Sequence, residues 1–217
     1  MLVDRKIYVE KIELLLSDTS KFQKVEFSTS YNCNKEVRHL LDMEAVLTGC
    51  LDNLLQENCI TKQEFDVLKP VGSNPGVLYG LCKVHKEEQG KSPPFRPILS
   101  AIGTTTYKVS KFFVPILEEH TKNEYTLKDS FQFAEDIVNQ DASLFMTSFD
   151  VESLFTNIPL DETINLCVTK MFQKKRKVHG LTKSKFRELL DISTKQSFFI
   201  FNNTFYTQID GVAMDPH

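Results

Sequence analysis

Along the first third of the chain, apolar residues recur with the period of a helix. Tyr8, Ile12, Leu15 and Leu16 fall at i, i+4, i+7 and i+8, and Leu40, Met43, Leu47, Cys50 and Leu54 repeat at alternating steps of three and four. Such spacing lays each set along one face and predicts two amphipathic helices. The second stripe is too short to demand a coiled coil, so packing within the domain is its expected use, with a partner-binding helix as the alternative. Pro70, Gly72, Ser73, Asn74, Pro75 and Gly76 then crowd together and interrupt regular structure.

Beyond that turn the texture changes. Residues 77–84 and 95–100 read as short strands joined by a polar loop over 86–94, the pattern of a hairpin with a long tip. Val109, Phe112, Phe113 and Ile116 mark a helix, and Phe131, Ala134 and Val138 another. Residues 144–150 read as a buried strand ending in an acid. Asp161 is expected to cap a helix carrying Ile164, Cys167, Val168, Met171 and Phe172, and Thr182 to cap one carrying Phe186, Leu189 and Leu190. Asn202-Asn203, a pair that tolerates left-handed backbone, sits between two β-like runs and predicts a tight hairpin. The fold class expected is α+β.

With 217 residues, 41% of them hydrophobic, the chain can bury one substantial core or two small ones. Its formal charge of −3 gives no global reason to expect nucleic acid, so any such partner has to be argued locally. No apolar run approaches the roughly 20 residues that span a bilayer, and the first 12 positions carry Asp4, Arg5, Lys6, Glu10 and Lys11 where a signal peptide would be apolar. An intracellular protein without a membrane partner is the expectation. Cys33, Cys50, Cys59, Cys82 and Cys167 are widely spaced and form no C-x-x-C pair, and the five histidines show no i, i+4 pair for a metal.

The chemistry concentrates in Ser148-Phe149-Asp150-Val151-Glu152-Ser153-Leu154-Phe155. An acid at the end of an apolar strand is costly to desolvate unless compensated, and a divalent cation compensates best, although strand-end acids also simply cap turns. This stretch resembles motif A of reverse transcriptases, in which a metal-binding aspartate is followed five residues later by an aromatic that closes on the sugar. Tyr79-Gly80-Leu81-Cys82-Lys83-Val84-His85-Lys86, then Arg96-Pro97-Ile98-Leu99-Ser100, then Tyr107-Lys108, are similar to the fingers motifs of the Penelope-like retroelements, Y-G-L-P-K-I-H-K, R-P-I-V-S and Y-K-L. Cys82 stands where the family has proline. Gln208-Ile209-Asp210-Gly211-Val212-Ala213-Met214 resembles the opening of motif B.

The resemblance implies a right-hand polymerase fold: a helical N-terminal extension over 1–69, fingers over 70–141 and a partial palm over 142–217. It implies RNA-directed DNA synthesis on an RNA template and DNA primer from dNTPs. Asp150 would be the catalytic carboxylate, and Asp150 with the carbonyl of Val151 would hold Mg²⁺. Lys83 and Arg96 would meet the triphosphate, Phe155 would act as a steric gate against ribonucleotides, and Gly211 would allow close backbone approach. Without the motifs, Lys83 and Arg96 are ordinary basic residues, Phe155 a packing aromatic and Gly211 a turn. The family's second and third carboxylates form an adjacent Asp pair, and no Asp-Asp dipeptide occurs in the sequence. The expectation is therefore an N-terminal piece of the polymerase, with an incomplete metal site and no activity alone, or a catalytically dead remnant that at most binds nucleic acid. The aromatics Phe198, Phe199 and Phe201 would then lie on a poorly covered hairpin.

Independently of family, eight Lys or Arg and no acid lie between 170 and 187. The core of this block, Lys174-Lys175-Arg176-Lys177, fits either a nucleic-acid backbone contact and nuclear localisation signal or a solvated loop.

Overall fold

Residues 3–26, 35–83, 93–121, 123–138, 140, 145–151 and 154–212 are described by the computed structural model. The fold is mixed α+β, with a five-stranded sheet, a two-stranded ribbon and two hydrophobic cores.

The sheet has the order β1-β7-β6-β2-β3, built from β1 (Phe22–Lys24), β2 (Gly76–Cys82), β3 (Phe95–Ser100), β6 (Phe198–Phe201) and β7 (Thr204–Gln208). All pairs are antiparallel except β2 with β6, where Gly76 faces Phe199 and Val77 faces Ile200. The expected Asn202-Asn203 hairpin is present: both residues have positive φ, 46° and 57°, between the paired Phe201 and Thr204.

One sheet face is covered by α1 (Arg5–Leu16), which starts where the Asp4 carboxylate accepts from the Lys6 and Ile7 N–H groups. Ile12 and Leu16 pack there with Phe22, Leu78, Leu99, Phe199 and Phe201. The Tyr8 hydroxyl accepts the Gly80 N–H at 2.8 Å, and its ring meets Phe95 edge-on at 5.4 Å. Gly80 lets the helix approach closely: a Cβ would stand 2.6 Å from the end of the Ile12 side chain, which would have to move. This packing corrects the expectation of a poorly covered hairpin: Phe198, Phe199 and Phe201 are all buried. The N-terminal segment supplies both the covering helix and an edge strand for β7.

The second core is helical. It joins α2 (Lys35–Gln56), α3 (Lys62–Leu68), α4 (Tyr107–Glu118), α7 (Leu160–Met171) and α8 (Lys183–Lys195) to the ribbon β4 (Lys177–Val178) and β5 (Leu181–Thr182). Leu40, Leu47, Cys50, Leu51 and Leu54 of α2 are buried, so the stripe is spent on packing within the chain. Phe186 is fully buried, meeting Phe113 and Phe172 edge-on at 5.1 and 5.5 Å. Thr182 caps α8 as expected, its hydroxyl accepting the Lys185 N–H. Asp161 does not cap α7; Pro159 holds that position, and Asp161 lies in the first turn, ion-paired to Lys195 at 2.6 Å.

Two segments stand apart from both cores. Helix α5 (Ser130–Val138) buries no residue, and the short α6 (Leu154–Asn157) likewise buries none. Among the described residues no helix is long and apolar enough to cross a membrane.

Candidate functional site

The expected hairpin forms, and its register decides where two candidate residues sit. In the β2–β3 ladder Leu81 faces Arg96 and Cys82 faces Phe95, and the Lys83 N–H continues it by donating to the Pro94 carbonyl at 2.9 Å. Directly opposed residues share a face and successive residues alternate, so Lys83 and Arg96 are diagonal neighbours on one face of the sheet. It is the face opposite α1: Gly80, Cys82, Phe95 and Leu99 turn towards the helix, while on the other face Val77, Leu81 and Arg96 are exposed, Lys83 is half-buried and Ile98 is buried. A lysine beside an arginine offers a mobile point charge and a planar donor fork, a combination suited to phosphate oxygens.

A second pair of candidates meets at the end of β7. The Val212 N–H donates to the Phe155 carbonyl at 2.8 Å, which docks α6 on the start of the motif-B-like segment. Gly211 makes that approach possible with a φ of +77°; a Cβ there would stand 2.7 Å from the Phe155 carbonyl oxygen and 3.0 Å from the Thr156 Cα. Lys21 ties the corner to β1, accepting the Ile209 N–H through its carbonyl and donating through Nζ to the Asn157 side chain. Nothing in the motifs announced Lys21 or Asn157. Their pairing spans 136 positions and left no local signal.

The two pairs do not form one site. The Gln208 N–H bonds to the Ser197 carbonyl, so β7 ends beside the start of β6, and β6 is paired with the first residues of β2. Lys83 lies seven residues further along β2, roughly 23 Å at a strand's rise of about 3.3 Å per residue. One nucleotide does not span that distance in this conformation.

Asp150 is exposed and makes no hydrogen bond or ion pair with a described residue. Residues 145–151 are irregular, and the Phe149 side chain is 92% exposed, so the expectation of a buried strand over 144–150 is corrected for the described part; Leu144 lies outside the described residues. The run is apolar enough for a strand, but no described strand pairs with it, and an unpaired apolar run has no face to bury. Magnesium needs a near-octahedral set of hard oxygens. Among the described residues no three His, Cys, Asp or Glu side chains gather as a possible metal site. Asp150 and the Val151 carbonyl do not by themselves fit the ion, and no step below passes through it.

The basic block divides. Lys170 donates to the His120 carbonyl, Lys185 pairs with Glu57 and Glu188, and Arg187 bonds to Asn165 and pairs with Asp191. Lys174, Lys175 and Arg176, between α7 and β4, and Lys177, the first residue of β4, are exposed and form no ion pair with a described residue. The block therefore has a structural part, which holds α7 and α8 in place, and four side chains that are solvated.

No family model, curated protein or solved structure matches the chain.

Proposed function

We propose that the chain is a reverse-transcriptase-like protein akin to the Penelope-like retroelements, carrying fingers and the beginning of a palm. The observation that supports this best is the strand pairing of the Y-G-L and R-P-I segments, which sets Lys83 beside Arg96 on the sheet face opposite α1. In this reading Lys83 and Arg96 grip phosphate groups of nucleotide or template, and Phe155 and Gly211 form the corner where a palm continues from motif A to motif B.

The intact family joins a primer 3′-hydroxyl to an incoming dNTP with magnesium, in the nucleus. Two-metal transfer relies on several carboxylates, and this sequence has Asp150 but no adjacent Asp pair. We therefore propose recognition of nucleic acid and nucleotide without turnover by this polypeptide alone. The reading of a catalytically inactive binding protein rests on that same missing pair.

The test is binding of a recessed RNA–DNA primer–template to the full chain by fluorescence polarisation, with heparin as a non-nucleotide polyanion. Tighter binding of the hybrid than of heparin at matched ionic strength is expected. Equal binding, or none, would leave the resemblance without function.

A further inference from the structure

Past its first two residues, β2 has a strand on one side only. It pairs with β6 at Gly76 and Val77, whereas its pairing with β3 runs from Val77 to Cys82 and continues through the Lys83 N–H. In an antiparallel ladder the backbone groups of alternate residues point to opposite edges. Lys83 bonds towards β3, so the Gly80 N–H, three residues earlier, points to the edge that β6 leaves uncovered. A side chain takes it up: the Tyr8 hydroxyl accepts it at 2.8 Å, across 72 positions of sequence.

The ring of the same tyrosine holds the neighbouring side chains. It meets Phe95 edge-on at 5.4 Å and lies tilted against Phe201 at 6.1 Å. Phe95 stands directly opposite Cys82 in the ladder; Phe95 immediately precedes Arg96, and Cys82 immediately precedes Lys83. Successive residues of a strand turn to opposite faces. Fixing Phe95 against α1 therefore fixes the direction in which Arg96 projects, and the Phe95–Cys82 pairing does the same for Lys83.

The brace stands on a rigid element. Helix α1 is capped by Asp4 and anchored by the buried Ile12 and Leu16, one and two turns beyond Tyr8. The bond from the Lys83 N–H to the Pro94 carbonyl is the last rung of the ladder among the described residues. Ends of ordered elements open first, so the brace acts where the hairpin's own hydrogen bonds hold least.

We propose that Tyr8 is a positioning residue for the phosphate-binding pair. Its hydroxyl and ring together keep this end of the β2–β3 ladder closed and hold Lys83 and Arg96 on one face at one spacing. Helix α1 is then part of the site and not an extension beside it. The role rests on the reading that Lys83 and Arg96 meet phosphate. It requires no contact between Tyr8 and the ligand, which lies on the other face of the sheet.

The test measures dATP binding to the full chain by equilibrium dialysis, with the RNA–DNA hybrid present, and amide hydrogen exchange residue by residue. Tyr8→Phe keeps the ring and removes only the acceptor for Gly80, whereas Tyr8→Leu removes both. Tyr8→Phe should speed exchange at Gly80 and Lys83 and weaken dATP binding, each by about two- to tenfold, the weight of one hydrogen bond. Exchange at Val109, in the helical core, should not change. Tyr8→Leu should cost more in both readouts; should it fail to fold, Tyr8→Phe alone decides. With Lys83→Ala and Arg96→Ala already in place, Tyr8→Phe should weaken dATP no further, since a positioning residue acts only through the groups it positions. A purely structural tyrosine would weaken binding equally with the pair present and absent. That result, undiminished dATP affinity in Tyr8→Phe, or unaltered exchange at Lys83 would overturn the role of Tyr8 alone. Absence of dATP binding by the unaltered chain would instead overturn the phosphate reading, and this role with it.

Discussion

The Phe155 carbonyl accepts the Val212 N–H at 2.8 Å, and Gly211 beside it holds a φ of +77° that brings the two backbones together. This contact, with the Lys21 bridge to Asn157 and Ile209, joins the segment after Asp150 to the segment after β7, which are separated in sequence by the whole of α7 and α8.

Gly211→Ala is expected to break that contact. The new Cβ would lie 2.7 Å from the Phe155 oxygen in a backbone region that alanine disfavours, at a cost of about 1–3 kcal/mol. Hydrogen exchange at the Val212 amide should speed up while the buried strand amides of β6 stay protected. Unchanged exchange at Val212 would mean that the contact does not hold α6 in place.

Primer extension by the full chain, with magnesium or manganese, is expected to give no product, because the sequence holds no adjacent Asp pair and, among the described residues, no metal-binding group of acids gathers at the exposed Asp150. Incorporation of dNTPs that disappears in Asp150→Ala would show that the carboxylates assemble after all.

The solvated stretch at 174–177 makes a separate prediction. If it follows a single-stranded backbone, log affinity should fall against log salt with a slope of roughly −0.7 per phosphate contact. Replacing Lys174, Lys175, Arg176 and Lys177 together with glutamine should flatten the slope, whereas the same change at Lys185 and Arg187 should instead destabilise α8, since those two are already paired. An unaltered slope in the quadruple variant would assign the stretch to solvent alone.

Stability should fall at alkaline pH through Cys50. Burial in the helical core pushes its thiol up to about 11, with Glu188 adding to the shift and Lys185 opposing it. The folded chain keeps the proton over a range in which the unfolded chain loses it, so the contribution is complete below about pH 9 and is lost as pH rises towards 11. The loss should be no more than about 3 kcal/mol. Comparison with Cys50→Ala tests it, because Tyr206 and Lys195 titrate in both proteins. Parallel pH profiles would remove Cys50 as the cause.

Local sequence carried the local structure well. The α2 stripe, the Thr182 cap and the Asn202-Asn203 turn each depend on neighbours within a few residues, and each is found where the pattern predicts. Long-range features were not legible. Strand β1 is three residues long, and its partner lies near the other end of the sequence, so periodicity had nothing to register. The run at 145–150 shows the converse: an apolar stretch states that burial is favourable but not whether a partner strand exists. Asp161 was read as a cap because acids favour helix starts, and its carboxylate is instead held below the usual range by Lys195 from another helix. Of the candidate site, the closeness of Lys83 to Arg96 follows once the hairpin is recognised, but the separation of that pair from Phe155 and Gly211 depends on strand order, which no motif encodes.

The most direct test is the affinity of the full chain for a dNTP, measured by equilibrium dialysis with the RNA–DNA hybrid present. Lys83→Ala combined with Arg96→Ala should weaken it by at least about tenfold, as loss of two charge-assisted contacts to phosphate implies, with circular dichroism unchanged because Arg96 is exposed and Lys83 only half-buried. Undiminished dNTP affinity in the double variant would contradict the placement of a phosphate-binding site on the β2–β3 hairpin and, with it, the reverse-transcriptase-like reading of the chain.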